Sequence, residues 1–231
     1  MHNNEVKEGD SKKIEGVNFS KFFLFSLSLI DFCNLDCTYC YAKSNGKGTY
    51  LPYEKIKTFL EFFSEYAPPK TYFTLSGGGE PTLHPQILDI IDSITENFID
   101  STIFISTNGV IPKKLLKKLL ERDIILKVSF SGLPEIQDNE RPLRNSKKKS
   151  SEIVLKTMKR IIEVAPNKLN WAFDYSKSKF GREKEIVNFM ASLGVKKMLL
   201  NIIEPAGRKS LEYFTGNKTF PSSIKEHTKV V

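Results

Sequence analysis

The sequence predicts an α/β fold, a partial (β/α)6 barrel of parallel strands. Three observations carry this expectation. Six short runs rich in β-branched and aromatic residues recur along the chain, each bounded by Gly, Pro, Asn or Ser. Between them lie five stretches with apolar residues at helical spacing. Regular alternation of the two requires parallel strands joined by right-handed crossovers, with the helices packed outside. A complete eight-unit barrel takes about 250 residues. The chain has 231, some of them in polar ends, so six units and an incomplete barrel are the better count.

Residues 1–20 carry Lys7, Glu8, Asp10, Lys12, Lys13 and Glu15 with no sustained apolar period, and read as a flexible polar N-terminal arm. Residues 21–210 form the core domain. Its first strand is expected at Phe22–Leu29, interrupted by Ser26 and Ser28 and far too short to span a membrane. A helix follows Pro52, with Ile56, Phe59, Leu60 and Phe63 on one face. The second strand covers Thr71–Leu75, and the helix behind it carries Ile87, Leu88, Ile91 and Ile94. After a third strand at Thr102–Ser106, Pro112 opens a helix that turns Leu115, Leu116, Leu119 and Leu120 inward and Lys113, Lys114, Lys117 and Lys118 outward.

The fourth strand is expected at Ile124–Phe130. Asn145–Ser151 reads as an exposed loop whose Lys147, Lys148 and Lys149 are solvated rather than a nucleic-acid patch. Ser150 or Ser151 then caps a helix carrying Val154, Met158, Ile161 and Ile162. Leu169–Asp174 forms the fifth strand, with Trp171 as a packing residue. Ile186, Phe189, Met190 and Leu193 line a helix that Gly194 ends, before a sixth strand at Lys197–Ile203. Residues 211–231 are polar and aperiodic apart from Tyr213, Phe214 and Phe220, and read as a C-terminal tail.

Hydrophobic content of 40% and charged content of 27% belong to a globular chain. The net charge of +8 admits nucleic acid, a phosphorylated ligand or an acidic protein as partner without choosing among them. All three cysteines fall within Cys33–Cys40, and no signal peptide is apparent. That usage fits a reducing cytoplasm and thiolates kept for metal rather than a disulfide framework, with no membrane association.

The cysteine segment, C-N-L-D-C-T-Y-C, stands directly behind the first strand. Thiols at i, i+4 and i+7 can converge on one metal centre, yet three ligands leave a tetrahedral zinc, or one iron of a four-iron cluster, short of a fourth. A structural zinc would need another protein ligand, and His2, His84 and His227 all lie at no compact spacing from the triplet. Parallel α/β folds gather their sites where strands end and loops begin. At that edge stand the cysteine loop, Ser76-Gly77-Gly78-Gly79-Glu80-Pro81, Thr107-Asn108-Gly109, Ser129 with Ser131 and Gly132, and Glu204 to Arg208. The glycines let backbone approach a ligand closely, and Glu80 offers a carboxylate suited to an ammonium group. Asp174 and Tyr175 end the fifth strand within reach of a substrate, and His84 beside Pro85 reads as a cap or surface residue.

The combination of C-x-x-x-C-x-x-C, an aromatic residue before the last Cys, and G-G-E-P after the second strand resembles the radical S-adenosylmethionine (SAM) superfamily over Phe22 to Arg208. S-T-N-G at Ser106 to Gly109 and S-F-S-G-L-P-E-I-Q-D-N-E-R at Ser129 to Arg141 resemble most its peptide- and protein-modifying branch of maturases and sulfatase activators. The resemblance implies that Cys33, Cys37 and Cys40 bind three irons of one [4Fe-4S] cluster, leaving the fourth iron to SAM. It implies further that the Tyr39 backbone meets adenine and that Gly78, Gly79 and Glu80 hold the methionyl ammonium. Ser129 and Arg141 match polar positions by the ribose and carboxylate, and Gly207 marks a turn beside the adenine.

The activity so implied is reductive cleavage of SAM, with an electron from a low-potential donor of the flavodoxin or ferredoxin type. The products are methionine and a 5′-deoxyadenosyl radical that takes hydrogen from a substrate, a peptide or protein in this branch. The chain departs from the branch in having no cysteine after Cys40, hence none for auxiliary clusters, and in carrying Ser131 where an aspartate is frequent. Glycyl-radical enzyme activation, RNA modification and cluster binding without turnover are the alternative readings.

Overall fold

In the computed structural model, described over residues 23–68, 70–203 and 207–208, six strands form one parallel sheet in sequence order. These are β1 (Phe23–Ser28), β2 (Thr71–Ser76), β3 (Thr102–Thr107), β4 (Ile124–Ser129), β5 (Leu169–Tyr175) and β6 (Met198–Ile202). The sheet curls into a half-barrel with β1 and β6 at its two edges, as the sequence predicts. Strand boundaries move by a residue or two, and Phe22, the arm and the tail lie outside the described residues. None of the described helices is long and apolar enough to cross a membrane.

The helices are α1 (Tyr53–Ser64), α2 (Ile87–Asn97), α3 (Lys113–Leu120), α4 (Pro134–Glu140), α5 (Ser150–Val164) and α6 (Glu183–Ser192). Strand alternation decides what they cover. Phe73, Ile103, Ile105, Leu126, Val128 and Trp171 point outward and meet Leu60, Ile91, Ile94, Leu119, Met158 and Met190 in one continuous core. Phe25 joins them at the β1 edge, 5.4 Å from the Phe59 ring and 5.1 Å from Phe73. The alternate residues, among them Ser26, Ser76, Ser106, Lys127 and Ser129, face the lumen instead. β6 is exposed along its whole length.

Helix starts follow local chemistry where proline sets them: Pro52 and Pro112 stand immediately before α1 and α3. The entry to α5 differs from expectation. Ser150 and Ser151 lie inside the helix, and the capping acceptor comes from α4. Asp138 accepts bonds from the Ser151 N–H at 2.8 Å and the Ser151 hydroxyl at 2.9 Å. The sequence did not predict α4, because seven residues with Ile136 as their one large apolar side chain carry no readable period. Asp138→Ala should therefore cost about 0.5–2 kcal/mol, the ordinary worth of an N-terminal cap, read as a lower urea midpoint with an unchanged slope.

Candidate functional site

The cysteine loop leaves β1 through the buried Leu29 and Ile30 and is then pinned from several directions. The Cys33 N–H donates to the Asn45 carbonyl at 2.8 Å, and the Asp31 carboxylate takes the Thr49 N–H at 2.6 Å. The segment behind α4 grips the middle of the loop, with Thr38 N–H on the Glu140 carbonyl and Asp36 N–H on the Pro142 carbonyl. Arg144 and Arg208 both reach the Asp36 carboxylate. Arg208 also donates to the Cys37 carbonyl at 2.8 Å and the Ser44 carbonyl at 2.6 Å. Gly207 makes this approach feasible: its φ is +68°, and a Cβ there would stand 2.3 Å from the Cys40 carbonyl oxygen.

Cys33, Cys37 and Cys40 all line one cavity of about 460 Å³ at the C-terminal edge of the sheet. Gly77 to Glu80, Asn108, Ser129, Arg141 and Asp174 line it as well, so the positions matched to cluster and SAM, from Cys33, Cys37 and Cys40 through Gly78, Gly79 and Glu80 to Ser129 and Arg141, stand on its wall together with Tyr39. Asn108 is the addition. Its amide donates to the Cys33 sulfur at 3.5 Å and to the Asn34 side chain at 2.7 Å, holding the first cysteine in place. The Leu35 N–H meets the same sulfur at 3.4 Å. Burial pushes the Cys33 thiol up from its ordinary pKa and pushes Cys37 up to about 11, against the pull of Arg141. These thiols are protonated at neutral pH until a metal displaces the proton.

The donor set suits a polynuclear cluster. Three thiols share one cavity wall. Thiolate is also the donor that iron–sulfur clusters take.

The glycine run performs two different tasks. A Cβ on Gly79 would lie 2.0 Å from the Phe32 carbonyl oxygen, so this glycine lets the run pack backbone to backbone against the cysteine loop. The neighbouring Glu80 N–H bonds that carbonyl at 3.0 Å. Gly78 has no such crowding, its nearest neighbour being 3.6 Å away, and it leaves open backbone on the cavity wall. Glu80 is 2% exposed. Its carboxylate already accepts from the Thr82 N–H and hydroxyl, the Thr107 hydroxyl and the Asn108 N–H at 2.7–3.2 Å. It braces the ends of β2 and β3 together, and burial raises its pKa against those donors.

On the opposite wall Arg141 donates to the Tyr39 hydroxyl at 2.6 Å and to Asp174. Burial opposes its charge, and Tyr39 and Asp174 more than restore it. Burial likewise drives the Tyr39 hydroxyl upward. Asp174 also accepts from Asn201 at 3.0 Å. Behind this pair lies a second, largely buried one: the fully buried Lys179 ammonium sits 2.6 Å from Glu140, with Ser176 completing its bonds.

Three expectations change. Tyr175 points away from the cavity and bonds Glu183 beside the Phe180 ring, so of the two residues ending β5 only Asp174 serves the site. His84 is 2% exposed, so the surface half of its expected role falls while the capping half holds. It acts as an internal clamp, with Nδ1 accepting from the Gln86 N–H ahead of α2 and Nε2 bonding the Leu51 carbonyl at 2.9 Å. Ser131 is buried with its hydroxyl unpartnered among the described residues, outside the cavity wall. Asn108, Arg144 and Arg208 had no assigned role; Asn108 lies within the S-T-N-G segment and Arg208 ends the Glu204 to Arg208 stretch expected at the same edge, while Arg144 carried no local signal.

The chain is similar to known proteins over most of its length. Residues 27–172 match the family model described as the radical SAM superfamily. An uncharacterized protein of Methanocaldococcus jannaschii, MJ0907, is 26% identical over 89% of this chain and 68% of its own length. A GTP 3′,8-cyclase of Photorhabdus laumondii is 36% identical, but over 38% of this chain and 27% of the cyclase. Among solved structures, anSMEcpe with bound AdoMet superimposes with a TM-score of 0.69 at 19% identity, covering 82% of this chain and 55% of that one. SuiB of Streptococcus suis bound to its precursor peptide SuiA gives 0.62 at 18%, covering 81% and 40%.

Proposed function

The chain belongs to the radical SAM superfamily, and from that premise we propose that it binds one [4Fe-4S] cluster and SAM in the cysteine-lined cavity and abstracts hydrogen from a peptide or protein. The superfamily uses this pair of cofactors. The observation that carries the reading is the convergence of Cys33, Cys37, Cys40, the open Gly78 backbone and the Arg141–Asp174 pair on one cavity at the sheet's C-terminal edge.

When bound, cluster and SAM supply a 5′-deoxyadenosyl radical, given an electron from a flavodoxin- or ferredoxin-type donor. The chain's own residues bind and orient. The three cysteines would hold three irons, while Asn108 and the Leu35 N–H fix the Cys33 sulfur. Gly78 and Gly79 would offer backbone to the methionyl ammonium, with Glu80 shaping that ledge from behind. Ser129 and Arg141 would face the ribose and carboxylate, Arg141 held charged by Asp174. The backbones of Tyr39 and of the Gly207 turn would border the adenine. Support for a peptide or protein substrate comes from the shared fold with anSMEcpe and with SuiB, the latter seen with a precursor peptide. Purified protein reconstituted anaerobically with iron and sulfide should show four-iron absorption and, with dithionite, convert SAM to methionine and 5′-deoxyadenosine. Absence of both signals would overturn the assignment.

A further inference from the structure

The three thiols are not equivalently supported. Among the described residues Cys33 is the one that receives N–H donors, from the Leu35 backbone at 3.4 Å and the Asn108 side-chain amide at 3.5 Å. The Cys40 thiol has the Ser44 hydroxyl 3.7 Å away, and Cys37 meets the charges of Arg141 and Arg208 rather than a hydrogen-bond donor.

The Asn108 amide is held in one orientation. Its Oδ1 accepts the Val110 N–H at 2.8 Å, so Nδ2 faces the cysteine loop, where it donates to Asn34 Oδ1 at 2.7 Å as well as to the Cys33 sulfur. The Asn34 amide points away from that sulfur, to the Val110 carbonyl at 3.5 Å. On its other side the Asn108 backbone N–H is fixed on Glu80 at 2.7 Å. The residue is 7% exposed, which shields these bonds from water. Closing the turn after β3 needs only the Oδ1 acceptor, which an aspartate or serine would supply as well. Only an amide also brings an N–H to the sulfur.

A hydrogen bond to a ligand sulfur draws charge off the thiolate, and the pull counts for more once an iron–sulfur cluster gains an electron, because the added charge spreads onto its sulfurs. Such bonds are among the determinants of the reduction potential.

We propose that Asn108 is a positioning residue for the cluster, whose amide bond to the Cys33 sulfur raises the cluster's reduction potential and so eases its one-electron reduction. The cluster itself rests on the radical SAM reading; the role of Asn108 is a separate statement about this chain.

The test uses the full chain reconstituted anaerobically with iron and sulfide, without SAM, in a redox titration followed by electron paramagnetic resonance. Asn108→Asp keeps the acceptor for Val110 and the side-chain size but has no N–H to give, and Asn108→Leu removes the donor without adding charge. At matched iron content, the reduced-to-oxidised ratio at a fixed poise should fall roughly tenfold in Asn108→Leu, a drop of about 59 mV for one electron. Asn108→Asp should fall further, because its carboxylate adds a negative charge. A merely structural role would reduce iron content or stability and leave the potential of the assembled cluster where it was. In the parent labelled with ¹⁵N at asparagine side-chain amides, a hyperfine coupling between an amide nitrogen and the reduced cluster is expected, and this measurement decides the matter if neither variant assembles a cluster. Absence of that coupling, or variant potentials equal to or above the parent's, refutes the role of Asn108. A parent that takes up no cluster overturns the radical SAM reading and this proposal with it, whereas a parent that cleaves SAM beside variants of unchanged potential removes the role of Asn108 alone.

Discussion

Cys37→Ala should bring both four-iron absorption and dithionite-driven SAM cleavage to background. Three thiols are the fewest that hold a four-iron cluster while leaving one iron open to SAM, and the chain contains no other cysteine. The buried His84 is committed to Leu51 and Gln86. Cys37 makes a sharp test because it is the middle thiol of the triplet on the cavity wall, half-buried there, and burial pushes it up to about 11. Its side chain supports little of the apolar core, so the variant should unfold within a few degrees of the parent. A variant that still bound four irons per chain and produced 5′-deoxyadenosine would refute the ligand assignment.

Lys179→Met should lower stability by about 3–5 kcal/mol, the cost of stranding one member of a buried ion pair. Lys179 is fully buried, and its ammonium lies 2.6 Å from Glu140. Burial alone would raise the Glu140 pKa, but Lys179 and the serines around it bring it below the ordinary carboxylate value. With the folded value depressed, the pair's contribution is complete above the unfolded pKa and is lost as pH falls through the folded one. The parent should therefore lose this increment on acidification, and Lys179→Met should lack it. Denaturant unfolding of both across the acid range reads the difference. Replacing Lys179 and Glu140 together with methionine and leucine should recover most of the loss, because no buried charge is then left alone. Equal stability of the parent and Lys179→Met at neutral pH would contradict the pairing. Since Glu140 directly precedes Arg141, the single variant should also loosen the Arg141–Tyr39–Asp174 arrangement on the cavity wall.

Much of this molecule was legible before folding. The alternation of β-branched runs with i, i+3, i+4 apolar spacing fixes the number and order of the strands, because each pattern is a local consequence of how side chains project from its backbone. The clustering of all cysteines behind the first strand and the glycine run behind the second pointed to one edge of the sheet, since parallel topology brings successive strand ends together. The short α4 escaped because seven residues give too little period, and the capping of α5 because its acceptor sits on another helix. His84 looked ordinary beside Pro85 until packing enclosed it.

The sequence by itself determined the strand count, the parallel half-barrel, the thiol triplet and the glycine ledge, all of which follow from local spacing and turn chemistry. Only the tertiary structure decided which polar groups are paired and which are not. Arg208 reaches Asp36 across 172 residues of sequence, and Glu80 finds its donors 28 residues away on the next strand end. Asn108, an ordinary turn residue in the sequence, brings its amide to the Cys33 sulfur across 75 residues. Register and long-range contact set those matches, and no local pattern encodes them.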